Sequence, residues 1–322
     1  MRIAVVGTAR MGAFRAEQVR ARGHEAVVAS GVPARGRPLA DVLAEDIDAA
    51  IVSSSTDHHP EHVLACVERG LPVLCEKPIA LTLRETREVL DRVAAAGGTL
   101  QVSFQRRFDP GFAAARAAVA DGRLGTLYLM RVSSHDHEPS PEHYIPTSGG
   151  MFRDLHVHDF DISRWLTGTE VMAVYSVVTV RKWQRFLRHG DADTAAALLT
   201  MSDGTPVLLS GTRHGPHGYD FRAELFGSGD SVAVGLGPRT PIRSLDPDGP
   251  GLPDHPWRCF LDRFGAAFEA ELDAWLEVVA GERANPCPGE EALEALRVAV
   301  ACDLSAREGR PVRVEEVTDN AP

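Results

Sequence analysis

The chain reads as an α/β protein: a doubly wound parallel sheet at the N-terminus, then an α+β domain built on a large, mostly antiparallel open sheet. Three observations predict this. Over the first hundred residues, short β-branched runs alternate with helix-compatible stretches, the pattern of parallel strands joined by crossover helices. From residue 123 the texture changes to long β-like runs separated by hairpin turns. At 322 residues the chain exceeds one comfortable core, so two domains are expected, residues 1–122 and 123–322.

Residues 3–6, Ile-Ala-Val-Val, make a strand that stops at Gly7-Thr8-Ala9-Arg10-Met11-Gly12 and passes into a helix over 13–22. Strand, tight glycine turn and helix leave backbone N–H groups and the positive end of a helix dipole together, an arrangement that accepts a pyrophosphate. The second glycine of G-x-G-x-x-G is Ala9 here, and a tight βα turn without a ligand stays open on this pattern alone. The second strand, 26–29, is not followed by the acid that would take a ribose 2′-OH. Ser30 with Arg35 and Arg37 instead suits a 2′-phosphate, which favours NADP over NAD. A short helix over 38–44, a buried strand over 49–54, the run Ser53-Ser54-Ser55-Thr56-Asp57-His58-His59, a helix over 61–69 closed by Gly70 and a strand over 72–75 complete the alternation.

That last strand ends in Glu76-Lys77-Pro78. Open α/β sheets hold their ligands at the carboxyl ends of strands. A lysine fixed there by a following proline is suited to hold a substrate oxygen or help move its proton. The plain alternative is a strand-end lysine reaching into solvent.

The stretch from Gly149 to Trp165 is the second candidate site. As a helix it would stack Asp154, His158 and Asp161 at i, i+4 and i+7 on one face, beside an apolar stripe of Leu155, Ile162 and Leu166. A carboxylate one turn behind an imidazole handles protons; the alternative is an ordinary amphipathic helix with solvated acids. The His-, Pro- and acid-rich loop before it, 133–148, is expected to cover the pocket, with Asp136 and Tyr144 as polar contacts. His135/His137 and His156/His158 raise the question of a metal, but helix residues two apart face apart, so no metal site is expected.

Strands are then expected over 171–183, 194–201, 206–212, 220–226 and 231–234, with hairpin turns at Ser202-Asp203-Gly204 and Gly227-Ser228-Gly229-Asp230. A Gly- and Pro-rich loop over 238–256 precedes two long helices, 257–280 closed by Gly281 and 290–307 closed by Gly309. Residues 315–322 read as a disordered tail. The free face of the open sheet is the natural surface for a homodimer or homotetramer.

Composition narrows the function classes. The net charge of −11 carries no basic cluster to replace counterions on phosphates, so no nucleic-acid partner is expected. No apolar run is long enough for a membrane span, and the N-terminus is too short and strand-like for a signal peptide, so a cytoplasmic protein is expected. Cys66, Cys75, Cys259, Cys287 and Cys302 are odd in number, with no C-x-x-C pair, as suits reduced thiols.

The glycine loop, the Ser-Ser-Ser-Thr-Asp-His-His run, Glu-Lys-Pro, Phe104-Gln105-Arg106-Arg107-Phe108-Asp109-Pro110 and Gly-Gly-x-x-x-Asp-x-x-x-His-Asp occur in one fixed order. In this the chain resembles the Gfo/Idh/MocA family of nicotinamide-dependent oxidoreductases, and most of all its inositol dehydrogenase-like members, from Arg2 to about Val314. The resemblance implies a Rossmann domain and hydride transfer between NAD or NADP and a secondary alcohol or ketone of a cyclic polyol, sugar or aminocyclitol. It implies Lys77, Asp154 and His158 as catalytic residues: His158 takes the hydroxyl proton, Asp154 fixes its tautomer, and Lys77 steadies the alkoxide. Asp161 and Arg106 would contact substrate. Gly7, Ala9, Arg10, Met11, Gly12, Ser30, Arg35, Ser53, Ser54, Thr56, His59, Glu76, Lys77 and Pro78 would line the cofactor. In the family the last helices lean back on the first domain. Departures fall in the cofactor half: no acid after strand two, a shortened segment near 32–38, and Ser-Ser-Ser for the usual Ala-Thr-Pro. The acids of the loop, Asp136, Glu138 and Glu142, raise a cationic aminosugar or aminocyclitol as substrate. The alternatives are a non-catalytic dinucleotide or sugar sensor and a ketone reductase acting on an aminosugar.

Overall fold

A computed structural model describes residues 1–30 and 36–319. In chain order the elements are β1 (Arg2–Val6), α1 (Arg10–Ala21), β2 (Glu25–Ala29), α2 (Leu39–Leu43), β3 (Ala49–Val52), α3 (His59–Val67), β4 (Val73–Glu76), α4 (Leu83–Ala95), β5 (Leu100–Ser103) and α5 (Pro110–Ala120). They continue with β6 (Leu127–His135), α6 (Ile145–Ser148), α7 (Val157–Thr167), β7 (Val171–Thr179), α8 (Gln184–Arg188), β8 (Thr194–Met201), β9 (Pro206–Thr212), β10 (Asp220–Gly227), β11 (Ser231–Val234), α9 (Phe260–Val279), α10 (Gly289–Glu308) and β12 (Val312–Arg313). Two compact units result. One holds Met1–Phe104, Glu269–Leu296 and Asp319; the other holds Gln105–Phe268 and Arg297–Thr318.

The first unit is a parallel sheet in the order β2-β1-β3-β4-β5. Its central strands are apolar on both faces because helices cover both, and every residue of β3 is buried. Ala16 and Val19 of α1 pack on Ile3, Val5, Ala49, Ile51 and Leu74, and Leu272 and Trp275 of α9 close the same core. The strand order reverses between β1 and β3, which is where such sheets bind ligands. The outer edge of β5 is covered: the Val102 N–H donates to the Cys287 carbonyl (2.9 Å) and the Asn285 side-chain amide to the Leu100 carbonyl (2.8 Å).

The second unit is a seven-stranded sheet in the order β11-β10-β6-β9-β8-β7-β12, antiparallel except for the β6–β9 pair. Its inner face carries Met130, Val132, Val174, Leu199, Val207, Leu209 and Phe221, all buried. The outer face carries a row across three strands, Tyr175 opposite Leu198 opposite Leu208, all exposed.

Several expectations are corrected. α5 packs on α7 and β11 and so groups with the second compact unit, where a boundary after residue 122 was expected. The helix expected over 149–165 is not uniform: Phe152–His156 is a π-helical turn feeding α7. β6 runs on to His135, so the covering loop is shorter than expected. The tail is ordered as far as Asp319, with a helical turn at Val314–Glu316 and a buried Val317. Among the described residues no helix is long and apolar enough to cross a membrane.

Candidate active site

One group of candidate residues lies at the carboxyl ends of β1, β3 and β4 of the first unit. Gly7 has a positive φ of +133°, and a Cβ there would come within 2.5 Å of the Ser53 carbonyl. A Cβ on Gly12 would stand 2.0 Å from the Gly7 carbonyl. Both positions demand glycine so that the β1–α1 turn can fold tightly against β3. The N-cap of α1 is Ala9, which supplies no side-chain cap, and no acid stands in its first turn. Ser53, buried at the end of β3, has a hydroxyl with no hydrogen-bond partner among the described residues. A helix start without its own anion and an orphaned hydroxyl beside it fit a dinucleotide pyrophosphate.

Thr8, Ala9 and Arg10 are exposed around this turn and Met11 is half-buried. Ser54 is half-buried with its hydroxyl on His62 Nδ1 (2.9 Å); Thr56 is half-buried. Ser30 is buried and its N–H donates to the Arg37 carbonyl (2.7 Å). Arg37 pairs with Glu45, and Arg35 lies outside the described residues. Lys77 is half-buried and its bond to Pro78 is cis.

Two of the residues expected to line the cofactor have internal partners. His59 is 1% exposed, with Nδ1 at 2.8 Å from the Pro78 carbonyl and Nε2 at 3.0 Å from the Ser54 carbonyl. It ties the end of β3 to the loop carrying Lys77, and burial holds its pKa down. Glu76 accepts from Arg15 Nε (2.9 Å) and Nη2 (2.8 Å). Arg15, wholly buried on α1, also donates to Glu271 (2.5 Å) and Ser103 (2.8 Å). Burial pushes the Glu271 carboxyl up to about 7. The residue before Lys77 is thus anchored to the helix that follows the glycine turn.

The other group of candidate residues is on the π-turn and α7 of the second unit. Asp154 and His158 are both half-buried. The Tyr144 hydroxyl donates to Asp154 Oδ1 (2.9 Å) and Arg213 Nη1 donates to Asp154 Oδ2 (2.7 Å). The Asp154 charge, with burial, raises the Tyr144 pKa, so the phenol stays a donor. Asp136 stands 3.9 Å and Asp191 3.8 Å from the same guanidinium. Asp191 Oδ1 accepts the N–H of Met151 (2.9 Å), which starts the π-turn, and burial pushes its carboxyl up.

Asp161 and Arg106, expected to contact substrate, are both buried and paired within the protein. The π-turn breaks the expected i, i+4, i+7 stack, and Asp161, 1% exposed, meets Arg107 bidentately at 2.6 and 3.0 Å. Arg106, 2% exposed, pairs with Asp159 and lies 4.7 Å over the Phe221 ring. Asp159 also takes His156 Nδ1 (2.7 Å) and the Ser134 hydroxyl (2.7 Å). Burial opposes its charge, but Arg106 and His156 outweigh that and hold its pKa low. His156 is therefore a core side chain, set 2.4 Å from where a Cβ on Gly211 would fall. Among the described residues no group of His, Cys, Asp and Glu is placed to hold a metal ion.

Arg213, Asp191, Arg107, Arg15 and Glu271 were not singled out from the sequence. Arg213 did leave a signal. Val207, Leu209 and Gly211 are the inward positions of β9, and Arg213 continues the same alternation, which requires a buried acid partner.

Comparison with known proteins agrees with this division. Residues 1–104 match the family described as oxidoreductase family, NAD-binding Rossmann fold, and residues 112–233 match the GFO/IDH/MocA C-terminal domain. A myo-inositol dehydrogenase of Streptomyces leeuwenhoekii is 39% identical over 96% of this chain and 98% of its own. The myo-inositol 2-dehydrogenase of Thermotoga maritima is 31% identical over 98% and 99%. A crystal structure of a probable dehydrogenase from Thermotoga maritima superposes with a TM-score of 0.90 at 30% identity, covering 99% of this chain and all of that one. The structure of scyllo-inositol dehydrogenase from Lactobacillus casei with NAD(H) and scyllo-inositol gives 0.86 at 25% identity over 98% and 99%. The chain therefore belongs to the GFO/IDH/MocA family of oxidoreductases, with that family's NAD-binding Rossmann fold first and its C-terminal domain after it.

Proposed function

We propose that this oxidoreductase acts on a secondary alcohol of a neutral cyclic polyol of the inositol class, with Lys77, Asp154 and His158 as its catalytic residues. The observation that carries the reading is Asp154, a carboxylate with both oxygens engaged at the start of the helix bearing His158. When bound, the nicotinamide gives or takes the hydride. The chain manages one proton: His158 removes it from the hydroxyl, Asp154 sets the imidazole tautomer and stabilises its charged form, and Lys77 steadies the developing alkoxide. Gly7 and Gly12 let the α1 N-terminus approach the pyrophosphate, with Ser53 as a further donor. Two of the relatives are named as inositol dehydrogenases, which supports a polyol substrate.

A neutral substrate is favoured over an amino-substituted one. Glu142 is paired with Arg188, and Asp136 and Asp154 share Arg213, so these acids already face cations. Equal turnover of myo-inositol and an amino-substituted analogue would remove this preference. The missing acid after β2 supports acceptance of NADP beside NAD. Titration with NADH and NADPH tests it, and an NADPH affinity a hundredfold weaker than that for NADH would exclude it. The apolar row Tyr175, Leu198 and Leu208 supports a homo-oligomer formed through the open sheet. A sedimentation mass of one chain would refute that.

His158→Ala should lower kcat/KM for the polyol by about 10²- to 10⁴-fold and leave NADH affinity nearly unchanged. Full turnover by that variant would remove His158 as the base.

A further inference from the structure

We propose that Arg213 is the positioning residue for Asp154: it aims and counter-charges the carboxylate that serves His158. The proposal rests on the reading of Asp154 as catalytic and adds to it the group through which the second unit controls it.

Asp154 sits in the middle of the π-turn Phe152–His156. Such a turn bonds i to i+5 and is frequent at functional sites. The regular α-helical stack does not set the direction of a side chain there, so an external partner has to. Tyr144 and Arg213 are such partners, and they differ in rigidity. Tyr144 precedes a four-residue helix and is 39% exposed. Arg213 is 2% exposed, follows a strand paired on both sides, and has its N–H bonded to the Asp193 carbonyl (2.8 Å). The fixed one of the two is the guanidinium.

Its second arm strengthens the assignment. Nη1 meets Asp154 at 2.7 Å while Nη2 faces Asp191 at 3.8 Å, and Asp191 in turn holds the N–H of Met151 at the head of the π-turn. One planar cation thus spans the carboxylate to be aimed and the carboxylate that anchors the turn carrying it. A lysine offers a point charge without this fork. The same guanidinium draws Asp136, so three acids converge on one cation.

The test is a cycle of Asp154→Asn, Arg213→Met, Arg213→Lys and the Asp154→Asn/Arg213→Met pair, each read as kcat and KM for myo-inositol with Kd for NADH. Arg213→Met should lower kcat about 100-fold, as a displaced catalytic group does, with the NADH Kd unchanged. Arg213→Lys should recover part of that loss. The double variant should be no worse than Asp154→Asn by more than about threefold, because Arg213 acts through Asp154. A kcat for Arg213→Met within about threefold of the native protein, or losses that multiply in the double variant, would overturn the proposal. Should Arg213→Met not fold, Arg213→Lys carries the test: native kcat in that variant overturns it, and loss of kcat at unchanged NADH Kd supports it. Full turnover by Asp154→Asn would sink the catalytic reading itself, and the proposal with it.

Discussion

Arg106 and Asp159 are both all but excluded from water. Desolvation cancels much of what such a pair gains by attraction, so its importance lies in what either partner leaves behind when the other is removed. Asp159→Ala would strand Arg106, His156 and the Ser134 hydroxyl together. It should cost about 3–5 kcal/mol in urea unfolding. A loss below about 1 kcal/mol would mean that water reaches the guanidinium. Asp161, two residues on and bound bidentately to Arg107, belongs to the same layer. Acids close together on one segment thus divide their work: Asp154 faces Tyr144 and Arg213, while Asp159 and Asp161 hold α7 to the 105–107 turn.

At the scale of elements, the β1–α1 unit is limited by backbone against backbone. A Cβ on Gly12 has the Gly7 carbonyl 2.0 Å away, and neither partner is a flexible side chain. Gly12→Ala should therefore push α1 off the turn, weaken NADH at least about tenfold, and cost about 1–3 kcal/mol of stability. Fluorescence titration and a thermal melt would show it, and native affinity would mean that the helix tolerates the shift. Elements governed by local period were readable: β8 and β9 fall at the residues expected, since alternation and the Ser-Asp-Gly turn are properties of the segment itself. The glycine turn and Lys77 at a strand end were readable for the same reason, whereas the α-helical spacing read for Asp154 and His158 is altered by the π-turn. The π-turn was not, because it depends on Asp191 holding Met151 from 40 residues away. Nor was the role of Glu76, whose partner Arg15 is also bonded to a glutamate 256 residues distant from it. Pairings of that range leave no trace in periodicity, and Glu76, Arg106 and Asp161 each have such an internal partner.

For the molecule as a whole, the wholly buried Glu271 makes stability depend on pH. Burial raises its folded pKa to about 7 from an ordinary 4.5, and burial likewise raises the Asp303 carboxyl to about 6. A raised carboxyl stabilises the fold fully below its unfolded pKa and loses that contribution as pH rises through the folded value. The contribution of these two carboxyls should therefore fall between about pH 4.5 and 7, against the opposite trend of His59, His62 and His135, whose pKa values burial lowers. The urea midpoint of Glu271→Gln should thus decline less, or rise more, with pH than that of the native protein in the upper part of that range. An identical profile in the variant would place the titration elsewhere.

The closing of the first core by Leu272 and Trp275 also dictates an order of events during synthesis. Residues 1–104 leave the ribosome with the side of their sheet that meets Trp275 still bare, and with the β5 edge uncovered until Asn285 and Cys287 arrive. The NAD-binding unit is thus translated ahead of the segment, 269–296, that completes it. A fragment cut at residue 104 or 122 should be aggregation-prone rather than a portable cofactor module, and any chimaera that exchanges this half has to carry residues 269–296 with it.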